Sequence, residues 1–196
     1  MVKQHPRAAV RQQILSGARE LFRARGVRGV TMSDVAESAD CSRQLVYKVF
    51  FDRRELVLAA AIERIGEIAD AAATDAPSTS FNDSFVDLSV QIIETLRNDA
   101  ELSALLGDGS PVTLHEALWE PELVDRAIRF WQPWLDAGRK HQVWRTDLSN
   151  RELADWLHTV YASIILRRNI PADDERTMIS RFVLTSLKMA TGDAGA

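Results

Sequence analysis

The sequence predicts an all-α protein with a small N-terminal three-helix domain and a larger helical domain. Two observations predict this fold class. Apolar residues recur at helical spacing along nearly all of the 196 residues, and no stretch shows the two-residue alternation of a half-buried strand. Capping patterns and breaks rich in Gly, Pro and Ser then divide the chain into separate helices. We expect the domains to be residues 1–56 and 57–196.

The first helix is expected to end at Gly26. Its inner stripe consists of apolar residues at helical spacing: Ile14, Ala18, Leu21 and Phe22. Glycine suits the left-handed conformation that commonly follows a helix end.

A second, short helix is expected after Thr31, which forms a capping-box pattern with Asp34, and it should end near Asp40. Ser42 is expected to cap a third helix that runs to about Phe50. The buried stripe of the third helix is Val46, Val49 and Phe50. Two short helices joined by a tight turn are typical of a helix-turn-helix.

Further helices are expected in the rest of the chain, separated by breaks at Thr74–Ser80 and Gly107–Pro111. They are a long fourth helix from Asp52 to about Ala73, then Phe81 to Leu96, a short helix after Thr113, one from Leu123 to between Gly138 and His141, Asn150 to Arg168, and Asp174 to Thr191.

The outer face of the third helix carries polar side chains that suit DNA. Arg43, Gln44, Tyr47 and Lys48 stand at positions i, i+1, i+4 and i+5, so they project from one side. Arginine can pair with guanine O6 and N7, and glutamine with adenine N6 and N7. Tyr47 and Lys48 suit phosphate oxygens.

Two other places are candidates for backbone phosphates. The N-terminus of the second helix offers free amides together with the hydroxyls of Thr31 and Ser33. Arg53, at the start of the fourth helix, is a candidate to clamp a further phosphate.

The charge distribution agrees with a polyanionic partner for the first domain alone. The formal net charge is −4, yet residues 1–56 contain eleven Lys or Arg against six Asp or Glu. The rest of the chain contains thirteen Lys or Arg against twenty-two Asp or Glu. The first domain therefore has a net charge of +5 and the second a net charge of −9. Double-stranded DNA is the expected partner of the basic part, and chance clustering of solvated charge is the alternative.

Residues Ile14 to Leu58 resemble the DNA-binding domain of the TetR family of regulators. The residues that carry the resemblance are Ile14, Ala18, Leu21, Phe22, Gly26, Gly29, Val30, Thr31, Val35, Ala36, Ser42, Tyr47, Phe50 and the stretch from Arg53 to Leu56. The resemblance implies an Ω-shaped homodimer, a palindromic operator, and release of DNA when a small ligand binds the C-terminal domain. It places base-reading and phosphate-binding roles on Thr31, Ser33, Arg43, Gln44, Leu45, Tyr47, Lys48 and Arg53.

Positions that depart from the family pattern include Asp40, Gln44 and Phe51. Asp40 replaces the usual turn glycine, although Asp tolerates left-handed geometry better than most residues. Gln44 stands where a small residue is common, so the bases read cannot be inherited from other members. Phe51 replaces a usually polar residue, and the sequence leaves open whether it lies near the DNA face or packs against the fourth helix.

The larger domain is expected to bind a hydrophobic small-molecule effector and to dimerise. Candidate residues for an apolar cavity are Phe85, Ile92, Leu96, Trp119, Phe130, Trp131 and Trp134, with His115 as a polar group near it. Ordinary core packing for the apolar residues and solvated surface for His115 are the alternatives. The resemblance implies that Asn150–Arg168 and Asp174–Thr191 form a four-helix dimer bundle, and packing within one subunit is the alternative.

Other classes of protein fit the sequence less well. Four scattered histidines, one cysteine and the absence of a glycine-rich phosphate loop leave little for a catalytic, metal or cofactor site, so we expect neither an enzyme nor a cofactor. A helical interaction or small-molecule-binding module without DNA binding remains an alternative function. No long apolar run or signal peptide is evident, so we expect a cytoplasmic protein without membrane contact.

Overall fold

The predicted all-α fold is confirmed. The computed structural model describes residues 6–74, 80–167 and 170–188. Within these ranges the β-structure is one isolated antiparallel bridge, between Trp144 and Lys188. The α-helices are α1 (Pro6–Arg25), α2 (Met32–Ser38), α3 (Arg43–Val49), α4 (Arg53–Thr74), α5 (Phe81–Asn98), α6 (Ala100–Leu106), α7 (Leu114–Leu118), α8 (Pro121–Lys140), α9 (Asn150–Leu166), α10 (Ala172–Met178) and α11 (Leu184–Leu187). No helix in the described ranges is long and apolar enough to cross a membrane.

The described residues form two compact units. The N-terminal unit contains residues 6–65 together with 99–117, and the C-terminal unit contains 66–98 and 118–188. Helices α6 and α7 up to Ala117 therefore fold with the helix-turn-helix. The predicted division into residues 1–56 and 57–196 concerns functional domains, and it stays a prediction.

Local capping patterns fix the boundaries of α2 and α3 as predicted. The Thr31 hydroxyl accepts from the Asp34 amide, and the Asp34 carboxylate accepts from the Thr31 amide. The Ser42 hydroxyl accepts from the Leu45 amide at the start of α3. Between the two helices Asp40 has φ 46°, the left-handed geometry expected of Asp in place of glycine.

A buried ionic network ties α6 to α1 and α4 in the N-terminal unit. The Arg19 guanidinium lies 2.6 Å from a Glu101 carboxylate oxygen, and Arg64 lies 2.6 Å from Asp99. Asp99 also caps α6 by accepting from the Leu102 amide. Helix α6 is only seven residues long and was not predicted from the sequence.

In the C-terminal unit, Trp144 is fully buried beside α5 and α8. Its ring centroid lies 5.0 Å from those of both Phe81 and Phe85, and its indole N–H donates to the Asn82 side chain over 3.1 Å. A Cβ on Gly138 would collide with the indole, so this position in α8 requires glycine.

The last predicted helix differs in form and in length. Instead of one α-helix over Asp174–Thr191, α10 passes through a π-helical turn, Ile179–Val183, into α11, which ends at Leu187. The chain then extends, because the Leu187 carbonyl accepts from the Arg145 amide at 2.7 Å and Lys188 bridges to Trp144. The predicted end at Thr191, and that of α9 at Arg168, lie outside the described residues.

Candidate nucleic-acid interface

The polar face of α3 consists of Arg43, Gln44, Tyr47 and Lys48, and all four side chains are exposed. Val46 and Phe50, on the opposite side, are completely buried. The buried pair fixes the rotation of α3, so the four polar residues stand outward together. The Arg43 guanidinium lies 5.5 Å from the centroid of the Tyr47 ring, a distance at which a cation–π contact orients both side chains.

At the N-terminus of α2 the structure separates the roles of the two predicted hydroxyls. Ser33 is exposed. The Thr31 hydroxyl donates to the Asp34 carboxylate over 2.6 Å, and the Thr31 amide donates to the same oxygen over 2.7 Å. These bonds hold the pKa of Asp34 below its usual value. Thr31 is thus a helix cap whose donors are already engaged, whereas Ser33 can still meet an anion.

Arg53 stands at the first position of α4, and its side chain is exposed. One guanidinium nitrogen, Nη1, lies 3.4 Å from the carbonyl oxygens of Val27 and Val30. These long contacts direct the side chain toward the turn before α2 and neutralise none of its charge. Its cation therefore stays available to a phosphate.

The apolar residues Leu45 and Phe51 near the polar face of α3 differ in exposure. Leu45 is half-buried, so only part of its side chain can reach a partner. Phe51 is 82% exposed in the turn between α3 and α4, which rules out a buried packing role against α4. Its amide donates to the Glu55 carboxylate over 2.6 Å, which fixes the backbone of this turn.

The effector candidates fall into a core group and outlying residues. Phe85, Ile92, Leu96 and Trp131 are buried in the C-terminal unit, with Phe130 and Trp134 half-buried. The Trp131 ring centroid lies 5.4 Å from that of Phe85 and 4.9 Å from that of Phe130, and the Phe85 and Trp134 centroids are 6.3 Å apart.

His115 does not join this group. It is exposed and lies in the N-terminal unit, because the short helix α7 that carries it folds mainly with that unit. Its exposure favours the alternative of solvated surface, and an effector role for His115 stays a prediction. Trp119 is 41% exposed and meets the edge of the buried His158, with ring centroids 5.5 Å apart.

A buried pair of hydroxyls, which was not predicted from the sequence, lies beside the aromatic group. Ser89 and Tyr161 approach to 2.6 Å between their hydroxyl oxygens, and Ser89 also donates to the Phe85 carbonyl. Trp131 stacks on Tyr161 at 5.1 Å with ring planes 17° apart. Burial raises the pKa of Tyr161, so its hydroxyl remains protonated and able to donate. The only sequence signal was a serine within the apolar stripe of α5.

Glu116 gives a pH-dependent test of the N-terminal unit. Its carboxylate accepts from the Thr113 amide over 2.7 Å and from the Arg54 guanidinium over 2.8 Å. These bonds lower its pKa from 4.5 to about 2. Because the folded-state pKa is depressed, the stabilisation is complete above pH 4.5 and is lost as the pH falls toward 2.

Carboxyl-carbon NMR titration should show Glu116 ionising near pH 2, and Arg54→Gln should raise this value. The control is Asp147, whose bond with Arg145 holds its pKa at about 2 and which Arg54 does not touch. An ordinary titration of Glu116 in the unmodified protein would show that these contacts do not persist in solution.

Among the described residues, no group of three His, Cys, Asp or Glu side chains is arranged to hold a metal ion. Comparison with known proteins gives a family match for part of the chain. Residues 14–60 match the family model described as bacterial regulatory proteins, tetR family. No curated protein sequence matches the chain.

Several solved structures share the fold over nearly the whole chain. The R. erythropolis transcriptional repressor QsdR from the TetR family has a TM-score of 0.73 at 17% identity, covering 94% of this chain and 98% of its own. The TetR family repressor AlkX from Dietzia sp., implicated in biodegradation of n-alkanes, has a TM-score of 0.67 at 21% identity. The match covers 95% of this chain and 99% of AlkX. RolR in complex with resorcinol has a TM-score of 0.65 at 16% identity. The match covers 92% of this chain and 88% of RolR. At these identities the likeness shows a common fold.

Proposed function

We propose that the chain, whose residues 14–60 match the tetR family of bacterial regulatory proteins, is a homodimeric repressor of that family and releases a palindromic operator when a small apolar molecule binds its C-terminal unit. The observation that carries the proposal is the exposed polar face of α3 above a completely buried seam. A helix presented in this way fits the major groove of B-DNA. The exposed cation at Arg53 adds the phosphate contact that such docking requires.

Each residue of the face has a separate role. Arg43 forks onto guanine O6 and N7, and Gln44 pairs with adenine. Tyr47 and Lys48 hold phosphates beside the groove, and the exposed part of Leu45 suits a thymine methyl group. Ser33 and Arg53 contact the backbone on either side, and Thr31 keeps α2 in place for them.

The effector region we propose is the aromatic group around the Ser89–Tyr161 pair. Buried hydroxyls cost free energy unless they are hydrogen-bonded, and here they are bonded to each other within apolar surroundings. A planar apolar ligand with one polar group can replace Trp131 on the Tyr161 ring and bond to a hydroxyl. Ligand and DNA would then be linked reciprocally, since each would change the affinity for the other by the same factor.

Dimerisation is proposed to use the exposed apolar surface of α9 and the π-helical turn. Phe182 is 71% exposed and Trp156 is 38% exposed. Together with Val160, Ile164 and Met178, they line an apolar cleft of about 410 Å³. A second copy of the same surface is the occupant that the family implies, because a twofold interface buries one patch against itself.

Phe182→Asp should convert the dimer to monomers. Introducing a charge in place of a central aromatic residue should raise the dimer dissociation constant at least thirtyfold, since such residues contribute about 2 kcal/mol or more. Analytical ultracentrifugation measures this change. Phe51→Asp, which alters a comparably exposed phenylalanine in the N-terminal unit, should leave the dimer intact. A Phe182→Asp protein that remains dimeric would exclude this surface as the interface.

Selection of genomic fragments by the purified protein tests the proposed function. We expect enrichment of an inverted repeat whose half-sites are about 34–36 Å apart, one turn of B-DNA, or a multiple of that distance. Binding should weaken steeply with added salt as phosphate contacts release counterions. Recovery of random fragments alone would contradict specific regulation.

A further inference from the structure

A cleft of about 200 Å³ lies in the N-terminal unit between the turn after α1 and the loop after α6. It is lined on one side by Arg25 and Arg28 and on the other by residues 107–110, here called the glycine turn. None of its lining residues belongs to the polar face of α3.

Two glycines of the turn are sterically required. Gly109 has φ +80°, and a Cβ there would collide with the Arg28 guanidinium. A Cβ on Gly107 would collide with the carbonyl oxygen of Ser103. The Ser110 amide donates to the Gly107 carbonyl over 3.0 Å, which closes the turn and leaves Asp108 and Gly109 at its centre. The backbone and the guanidinium are therefore in direct contact.

The donors around the cleft lack partners. Within the described part of the chain, Arg28 makes no ion pair or hydrogen bond, and neither the Asp108 amide nor the Gly109 amide donates one. The Ser110 hydroxyl oxygen accepts from the Val112 amide, so its own proton remains available. The four residues that carry these donors, Arg28, Asp108, Gly109 and Ser110, all line the cleft.

We propose that this cleft binds a phosphate group, with Arg28 as its charged ligand and the amides of the glycine turn as further donors. Arginine pairs with phosphate oxygens in a fork, and unpaired amides at a glycine turn are suited to the same anion. Arg25 adds positive charge, partly offset by Asp34 at 3.7 Å. The Asp108 carboxylate opposes binding, so affinity for free phosphate should be weak.

The phosphate can come from a free anion or from the operator backbone, and the experiment separates these sources. The probe is inorganic phosphate, titrated at constant ionic strength against chloride, with the amide signals of Asp108 and Gly109 followed by NMR. We expect saturable shifts in the unmodified protein that are lost in Arg28→Gln. Arg23→Gln removes the same charge from an exposed position of α1 outside the cleft, and it should keep the shifts.

Absence of saturable shifts in the unmodified protein, or equal loss in both variants, would overturn the proposal. The salt dependence of DNA binding shows whether the phosphate group in the cleft comes from the operator or from a free anion. If the operator supplies the phosphate, Arg28→Gln lowers the slope of log K against log salt by about 0.9, the effect of one lost contact. If Arg28→Gln leaves this slope unchanged while the unmodified protein shows the saturable phosphate shifts, the ligand of the cleft is a free anion. If the unmodified protein bound no DNA at all, the proposed function would be contradicted. The phosphate titration alone would then test whether the cleft binds phosphate.

Discussion

Replacing Arg43 by alanine should lower operator affinity about tenfold to a hundredfold, because a bidentate arginine–guanine contact contributes about 1–3 kcal/mol of discrimination. The loss should fall on the preferred sequence, so affinity for random DNA should change much less. The side chain is exposed and its recorded contact is with the Tyr47 ring, so folding should be unaffected. Fluorescence anisotropy on selected and random duplexes measures both affinities.

The matched control for Arg43→Ala is Arg53→Gln. Both residues are exposed arginines of the N-terminal unit, but Arg53 is assigned to phosphate. Its replacement should weaken binding to all duplexes alike and reduce the salt slope by about one. If both variants lost equal affinity on specific and random DNA, the assignment of base reading to Arg43 would be wrong.

The largest stability effect is expected from Arg97→Leu in the C-terminal unit. Arg97 and Glu175 form an ion pair at 2.8 Å with side chains 19% and 2% exposed. Arg97 also donates to the carbonyls of Ile164 and Arg167 at the end of α9. Its removal leaves the buried Glu175 carboxylate without its cation and takes a donor from the two carbonyls, of which Ile164 keeps the bond from the Arg167 amide, and the change should cost about 3–5 kcal/mol in the free energy of unfolding.

The control for Arg97→Leu is Arg176→Leu, which breaks an ion pair of the same chemistry between Arg176 and Asp87. Those side chains are 49% and 45% exposed, so the expected loss is at most about 1 kcal/mol. Chemical denaturation followed by circular dichroism measures both. Arg97→Leu combined with Glu175→Leu should recover part of the loss, since no charge is then buried alone. Equal losses of stability in the two single variants would show that burial of the Arg97–Glu175 pair adds nothing to its effect.

Elements defined by neighbouring residues could be predicted from the sequence. The capping box Thr31–Asp34 joins residues three apart, and it forms as expected. The polar face of α3 follows from the helical period and from the buried positions Val46 and Phe50.

Features that depend on distant residues could not be predicted. Glu101 is buried because Arg19, 82 positions away, pairs with it, and that pairing is part of what keeps α6 in the N-terminal unit. The Ser89–Tyr161 bond joins residues 72 positions apart. His115 was grouped with the aromatic residues by proximity along the chain, which does not indicate the unit with which α7 folds.

The polar face of α3 is proposed to contact DNA. The most direct test of this contact compares the unmodified protein with a variant in which Arg43, Gln44, Tyr47 and Lys48 are all alanine, on the duplex selected by the unmodified protein. All four side chains are exposed, so circular dichroism and the dimer should be unchanged. We expect specific binding to disappear, leaving only weak binding that falls steeply with salt. Undiminished affinity in the folded variant would show that another surface binds the operator.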